Sequence, residues 1–550
     1  MTRLDPPSPA NSPGAGRHDA GGTVAGGEHG DHPAATASAG SQSGDHKWWT
    51  LLAVCLGTFM LLLDVTIVNV ALPDIQRVLG SSFSDLQWVV DAYALSLAAL
   101  LLTSGSLADM FGRRLLYLIG LTVFTLASLL CGFAQDTLML QLSRALQGVG
   151  GAVMFAVSLA LLAQAFHGKD RGIAFAVWGA VTGLAVAVGP LLGGVLTSEL
   201  SWRWIFFVNL PIGVAAVAIT AARVSESRER HARRPDWIGF AVFTLALAAL
   251  VYGLIESNES SFADAKVIAT LALAAALLGA FVVVESRTST PMFDLALFRL
   301  PTFSGGAVAA FGLSASIFSL LLYLVLYVQD VLGYSPLESG LRLLVISGGI
   351  LLTSTAAGRL SSHVPVRWLI APGLFLVGAG LLLMRGLSAS SDWTHLIAGM
   401  IVSGAGVGLV NPPLASTAVG VVEPRRAGMA SGINSTFRQV GIATGIALLG
   451  TLFSDQVKQA VRSAVAGIPG LSAHSSQLAT AVKSGAGRQV LSQVPAQQRG
   501  AVEHLSRQAF TTGMNTILLV AAIIALTAGV IALFTIRSKD FRSGGDAAPG

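Results

Sequence analysis

The chain has 550 residues, of which 53% are hydrophobic and 11% charged, and its mean hydropathy is +0.69. Soluble globular domains carry about 25% charged residues, so a single water-soluble core is excluded. The pI of about 9.4 rests on a net charge of only +5, which suits charge bias in membrane loops and not a nucleic-acid footprint.

Residues 1–46 are rich in Gly, Pro, Ala and Ser and almost devoid of large apolar side chains, so they cannot support a core and read as a disordered cytoplasmic tail. No apolar h-region marks a secretory signal. The irregular spacing of His18, His29, His32 and His46 suits a solvated tail better than a metal tract.

From Trp48 onward, apolar windows of about 20 residues alternate with polar breaks. They predict about fourteen helical spans, at 48–72, 86–107, 115–133, 138–163, 173–197, 203–223, 236–256, 265–285, 303–328, 337–358, 368–387, 394–420, 429–453 and 513–536. Cys55 and Cys131 each fall inside a span and read as small apolar filler without a disulfide framework. Alternate connections hold Arg113/Arg114, Lys169/Arg171, the cluster Arg223 to Arg234, Arg287/Arg299, Arg359/Arg367 and Arg425/Arg426. The others hold little beyond Arg77, Arg203, Lys266 and Arg385. The positive-inside rule therefore predicts a multi-pass protein of the cell membrane with both termini in the cytoplasm. The turns after the second and tenth spans, GSLADMFGRRLLYLIG and AGRLSSHVPVRWLIAPG, are faintly similar, as expected of a bundle built from repeated units.

Charges inside the spans are costly and mark function. In this orientation Asp64, Asp91 and Arg144 sit ~12, ~7 and ~9 Å from the outer ends of the first, second and fourth spans at 1.5 Å per residue. Three ionisable groups in one layer are expected to face a shared, wet interior. Asp91 is also near a helix N-terminus, where the macrodipole favours a carboxylate, and Arg144 could clamp backbone carbonyls. Asp64 is far from either end of its helix. Its expected role is to bind and release a proton, with Arg144 as its tuning partner, because burial favours the neutral acid and a guanidinium favours the carboxylate. Arg438 lies ~14 Å into the thirteenth span, near the midplane, with no carboxylate partner evident. Glu338 and Arg342 have the spacing of a structural i,i+4 pair. The fifth span, WGAVTGLAVAVGPLLGGVL, combines Pro190 with closely spaced glycines, a composition for a bent, close-packed helix that can pivot.

These segments carry a resemblance. GSLADMFGRR (Gly105, Asp109, Gly112, Arg113, Arg114) resembles the signature loop between helices two and three of the major facilitator superfamily. RALQGVGG, with Arg144, Gln147 and Gly148, is similar to its fourth-helix motif. GPLLGG (Gly189, Pro190, Gly193, Gly194) is similar to its fifth-helix antiporter motif. LDVTIVNVALP and SWRWIFFVNLPIG narrow the resemblance to the 14-span drug:proton antiporters of the EmrB/QacA type. LYVQDVLGYSPLESG and AGMASGINSTFRQVGIATGIALLGTLF extend it, so that it covers Trp48 to Arg537.

The resemblance implies an all-α polytopic membrane protein with the major facilitator fold, two six-helix bundles plus two inserted helices (14 transmembrane helices). The bundles would be 47–223 and 303–537, the latter with a long extracellular loop at 454–512; the linker 224–302 would hold the two extra helices, and 538–550 would be a cytoplasmic tail. It implies a monomeric carrier working by alternating access on the proton gradient, with no cofactor, no enzymatic activity and no nucleic-acid partner. Its partners would be protons, small amphipathic or cationic drug-like molecules and the lipid bilayer. Asp64 and Arg144 would couple to protons, Asp109 with Arg113 would form a conformational latch, and Asp91 holds the place of an acid associated with cationic drugs. Two departures stand out: Ala185 replaces a glycine four residues before the Gly-Pro pair, and Ser362 and Pro365 stand where a second loop motif would have an acid and a glycine. The thirteenth span also lacks extra acids, which disfavours dication export. The rival readings are a nutrient uniporter or symporter, against which GPLLGG argues, and a polytopic membrane enzyme. For the latter there is no paired-aspartate metal motif, H-E-x-x-H or Walker loop, and His167 and His395 are isolated.

Overall fold

The computed structural model describes residues 44–541 except 167, 229–235, 258–259, 261, 290, 362–363, 423–426, 466–474 and 484–498. The tails read at 1–46 and 538–550 therefore lie largely outside the described residues, and His167 lies wholly outside them.

Among the described residues no strand occurs, and fourteen apolar helices follow one another. They are α1 Gly44–Leu79, α2 Phe83–Phe111, α3 Arg113–Gly132, α4 Thr137–Ala165, α5 Gly168–Glu199, α6 Trp204–Arg223 (with a turn at Val208), α7 Trp237–Glu256 and α8 Ala265–Arg287. There follow α9 Pro301–Val331, α10 Pro336–Leu360, α11 Arg367–Leu383, α12 Thr394–Gly420, α13 Ala427–Val465 and α14 Arg499–Thr535. Each overlaps a span read from the sequence. Thirteen are long and apolar enough to cross a membrane, and α11, with 17 residues, is shorter.

Local chemistry sets the helix starts. Ser82 with Asp85 and Ser335 with Glu338 form capping boxes on α2 and α10, and the Asp136 carboxylate caps α4. This accounts for one departure from expectation. The Glu338 carboxylate is engaged by Ser335, so Arg342 donates to the Glu338 carbonyl at 2.9 Å instead and stacks 3.5 Å from the Tyr334 ring centroid. No side-chain pair forms between them. The i,i+4 spacing lost to a closer, charge-assisted backbone donor.

The outer surface is apolar: Leu138, Val214, Ile238, Leu352 and Phe534 are all more than 60% exposed, the reverse of a water-soluble fold. A helix pairs most of its backbone groups within itself, which a lipid environment requires.

Helices α1–α6 pack among themselves, with α4 between α2 and α3, and α1 against α5 and α6. Helices α9–α14 pack likewise, with α12 between α10 and α11, and α14 against α11, α13 and α9. The two groups meet mainly through α2 on α13 and α5 on α10. Helices α7 and α8 pair with each other, and α7 lies on α2 and α13.

One end of the assembly is closed. There Gln329 Nε2 donates to Val70 O at 2.8 Å, Gln87 Nε2 to Ile446 O at 2.9 Å and Leu337 N to Ser198 Oγ at 3.0 Å, while the rings of Phe83, Tyr323 and Phe453 cluster. On the same side α5 and α10 touch backbone to backbone. A Cβ on Gly194 would lie 2.6 Å from Pro336 O, and one on Gly340 2.4 Å from Pro190 O. Toward the other end Gly179 of α5 and Gly358 of α10 have nothing within 4 Å of a Cβ position. Helix α5 continues through Pro190 to Glu199 without interruption.

The segment 454–512, read as a loop, is helical over much of its described length. Helix α13 runs on to Val465, Ser475–Lys483 is a short helix, and α14 begins at Arg499. The cause is an apolar stripe continuing beyond the span: Phe453, Val457 and Val461 are buried, as are Val502, Leu505 and Ala509 on α14. Helix α9 departs from regularity differently, widening to π-helical turns at Ser314–Phe318 and Tyr327–Val331. Such turns mark places where a helix departs from its ordinary register.

Candidate functional site

Asp64 lies in mid-α1 with no exposed surface, and Arg144 on α4 is 1% exposed. Arg144 Nη1 donates to Asp64 Oδ2 at 2.5 Å and to Gln147 Oε1 at 2.7 Å, while its Nε donates to Val89 O on α2 at 3.2 Å. The other carboxylate oxygen, Asp64 Oδ1, accepts from Gln147 Nε2 at 2.8 Å and from Asn209 Nδ2 on α6 at 3.2 Å. Asn209 also donates to Ser128 Oγ at 3.0 Å, and Ser128 donates to Phe206 O. The guanidinium lies 4.3 Å from the Tyr93 ring centroid, where the aromatic face favours a cation. A buried ion pair persists only when its remaining hydrogen-bonding capacity is met, and here Val89 of α2, Gln147 of α4 and Asn209 of α6 meet it.

Close helix approach makes this geometry possible. A Cβ on Gly148 would fall 2.0 Å from Ser96 Oγ and 2.5 Å from Tyr93 O, so any side chain there would push α4, and Arg144 with it, off α2. Gln147 and Asn209 carry no charge, and only their place in RALQGVGG and FFVNLPIG hinted at a role.

The expectation of three groups in one wet layer needs correction. Asp64 and Arg144 meet, but Asp91 does not join them, and none of the three is exposed. On α2, Val89 and Tyr93 face Arg144, whereas Asp91 lies two positions from each, on the opposite side of a 3.6-residue helix. That side, with Gln87 and Ala98, packs on Ile446 and Thr436 of α13. Both Asp91 oxygens are buried without a hydrogen-bond partner. Arg438, half-buried on α13, forms no ion pair or hydrogen bond with a described residue. Cys55 and Cys131 are buried and free.

The opposite face of α1 lines a cleft between the two helix groups. Thr66 and Asn69 border it together with Pro190 of α5, Phe318 and Leu321 of α9, and Leu343, Ile346 and Ser347 of α10. Thr66 and Asn69 are about 200° and 140° around the helix from Asp64 at 100° per residue. The acid and the cleft thus share a helix but not a surface. Of the GPLLGG residues, Gly189 and Gly193 abut Thr66 and Ile67 of α1, Gly194 abuts α10, and Pro190 borders the cleft.

At the α2–α3 turn, Gly112 has φ 116°, and its N–H donates to Ala108 O at 3.0 Å. Gly105 lies in the last turns of α2. The Asp109 side chain lies outside the described residues. The residue the sequence did not single out is Glu226, just beyond α6. Its carboxylate accepts from Arg114 N and Leu115 N, both at 3.1 Å, and Arg113 N donates to Ser227 O at 3.0 Å. The acid satisfies orphan donors at the start of α3 and complements its dipole, but the surrounding run of arginines masked it. Glu226→Ala is expected to cost about 1 kcal/mol at this cap. Hydrogen exchange at the Arg114 and Leu115 amides should speed up severalfold while exchange in α4 stays unchanged.

Two helix groups that enclose one cleft and close it at one end have the architecture of a secondary transporter. The sequence profile of the Major Facilitator Superfamily matches residues 54–446 and 306–542. The Multidrug resistance protein Stp of Mycobacterium tuberculosis (strain CDC 1551 / Oshkosh) is 38% identical over 406 residues, covering 74% of this chain and 75% of that protein. The Puromycin resistance protein pur8 of Streptomyces alboniger is also 38% identical, covering 74% and 82%. The Tetracenomycin C resistance and export protein of Streptomyces glaucescens is 32% identical over 496 residues, covering 90% and 92%. Among solved structures, a bacterial homolog of the human lysosomal transporter Spinster, in an inward-facing and unoccupied conformation, matches with a TM-score of 0.60 at 18% identity, covering 92% of this chain and 100% of that one. The chain belongs to the Major Facilitator Superfamily.

Proposed function

We propose that the chain is a proton-coupled antiporter that exports hydrophobic or cationic drug-like molecules across the cell membrane by alternating access. The observation that carries this reading is the placement of a buried, ion-paired acid and an apolar cleft on opposite faces of α1.

In the ion-paired state, Asp64 holds α1 to α4 and α6 through Arg144, Gln147 and Asn209. A proton on Asp64 removes the charge that strengthens its bond to Arg144. The guanidinium then keeps Val89 O, Gln147 and the Tyr93 face, and α1 is free to shift against α4, carrying Thr66 and Asn69 with it. A proton on one face and a drug on the other bias the same helix, which is the coupling that antiport requires. The cleft wall of Phe318, Leu321, Leu343 and Ile346 suits an apolar ligand body, and Asn69 and Ser347 offer polar contacts. No cofactor is needed. Relatives named for multidrug resistance, puromycin resistance and tetracenomycin C export support a drug-like substrate.

The arginine bias puts both termini in the cytoplasm. The closed end then faces outward, and the cleft opens to the cytoplasm, ready to load. Asp109, Arg113 and Glu226 at the α2–α3 turn serve as the latch for this exchange. Asp91, sealed between α2 and α13, reaches a cationic drug only when that interface parts, and Arg438 is a further charge near the midplane.

In inverted vesicles with an acidic interior, a fluorescent amphipathic cation should accumulate, and a protonophore should abolish the accumulation. Accumulation indifferent to the protonophore would sink the proposal.

A further inference from the structure

The inserted pair α7–α8 carries two carboxyl groups that the scheme above does not use. Asp236 caps α7, its Oδ1 accepting from Gly239 N at 2.8 Å. Glu285, in the last turn of α8, accepts from Phe293 N with Oε2 at 3.2 Å. The two residues are 8% and 3% exposed, and the second oxygen of each, Asp236 Oδ2 and Glu285 Oε1, has no hydrogen-bond partner. Those two free oxygens converge on one spot: a Cβ on Gly239 would lie 2.7 Å from Glu285 Oε1 and 2.8 Å from Asp236 Oδ2. Gly239 leaves that space open.

The surroundings are apolar. Phe243, Phe281 and Phe293 pack together beside the pair, and α2 and α13 contribute Leu102 and Ile433 to the same cluster. Among the described residues, the charged groups acting on Glu285 are Asp236 and, from the linker, Asp294, both negative; Arg233 and Arg234, just before Asp236, lie outside the described residues. Arg287, two residues on, is exposed. The two free oxygens border one apolar space, where repulsion between carboxylates disfavours a second negative charge.

We propose that Asp236 and Glu285 form a second proton-binding site, separate from Asp64, in which one proton is shared by the two oxygens that border Gly239. Each carboxyl then keeps its backbone donor, and the shared proton clasps the start of α7 to the end of α8 and, through Phe293 N, to the linker that leads into α9. Loss of the proton sets two negative charges against each other, and the Phe293 N–H bond is the contact free to break.

The test uses the full chain in lipid nanodiscs. Infrared difference spectra from mildly acidic to alkaline pH should show a carboxylic-acid C=O band that titrates away, and Glu285→Gln or Asp236→Asn should each remove that component. Over the same range, exchange at the Gly239 and Phe293 amides, corrected for intrinsic base catalysis, should accelerate roughly tenfold or more in the native chain. In Glu285→Gln it should not, because the amide donates permanently to Asp236. Gly239→Ala, which crowds a methyl against both oxygens, should lose the same band. A band untouched by all three substitutions would overturn the proposal, as would pH-independent exchange in the native chain. Alkaline protection that follows sodium or potassium concentration would replace the proton with a bound cation.

Discussion

Asp64→Asn is expected to abolish gradient-driven export while leaving drug binding measurable. The native carboxylate accepts on both oxygens, from Arg144 on one side and from Gln147 and Asn209 on the other. An asparagine accepts on one side only, so its amide meets a donor wherever it turns, and Arg144 keeps a buried charge without a counterion. Breaking a buried pair from one side costs about 3–5 kcal/mol. Thermal unfolding should therefore shift down, and export should fall to the level seen with no pH gradient. Arg144→Lys retains the charge but cannot reach Val89 O, Gln147 and Asp64 together, because the ammonium lacks the planar fork; export should fall at least about tenfold. The double variant Asp64→Asn with Arg144→Met removes both charges, so it should regain much of the lost stability yet remain inactive. Undiminished proton-driven export by Asp64→Asn would refute the coupling role.

The second large effect is expected at the closed end. Gly340→Val would drive a side chain into Pro190 O, already 2.4 Å from the Cβ position, and Gly194→Ala into Pro336 O at 2.6 Å. Backbone carbonyls cannot swing aside as a flexible side chain can, so α5 and α10 must separate. Overpacking of this kind costs roughly 1–3 kcal/mol. The cost falls on the state in which these helices touch and spares the state in which they are apart, so the equilibrium moves toward the latter by about tenfold per 1.4 kcal/mol. Cysteines placed by Ser198→Cys and Leu337→Cys, where Leu337 N now bonds Ser198 Oγ, should cross-link readily in the native background and poorly beside Gly340→Val. On the proposed function, export should drop because the chain is held in one state. Equal cross-linking with unimpaired export would show that this contact does not govern closure.

The helices were legible because charge-poor windows near bilayer length leave few alternatives. The Asp64–Arg144 pairing was legible because a charge inside such a window demands a counterpart. What completes the site was less visible. Gln147 and Asn209 are neutral, and hydropathy does not distinguish an amide that coordinates a carboxylate from one that lines a helix contact. Asp91 looked equivalent to Asp64 by depth, but depth says nothing of rotation, and rotation sends it to α13. Glu226, Asp236 and Glu285 lie near span ends among other charges, where a residue reads as solvated unless packing is known. The 454–512 segment misled for a related reason: its polar residues suggested a loop, while a buried residue every fourth position carried the helix onward.

Helix α1 gives this transporter a division of labour within a single element. On the proposed scheme, exchanges at Thr66, Asn69 or Val70 would alter the wall a cargo meets without disturbing the engine at Asp64, so the range of compounds expelled could drift while energisation stayed fixed. The same arrangement makes α1 intolerant of slippage. One residue inserted after Asp64 would turn Thr66 and Asn69 by about 100°, leaving motor and cargo hold each intact but out of phase.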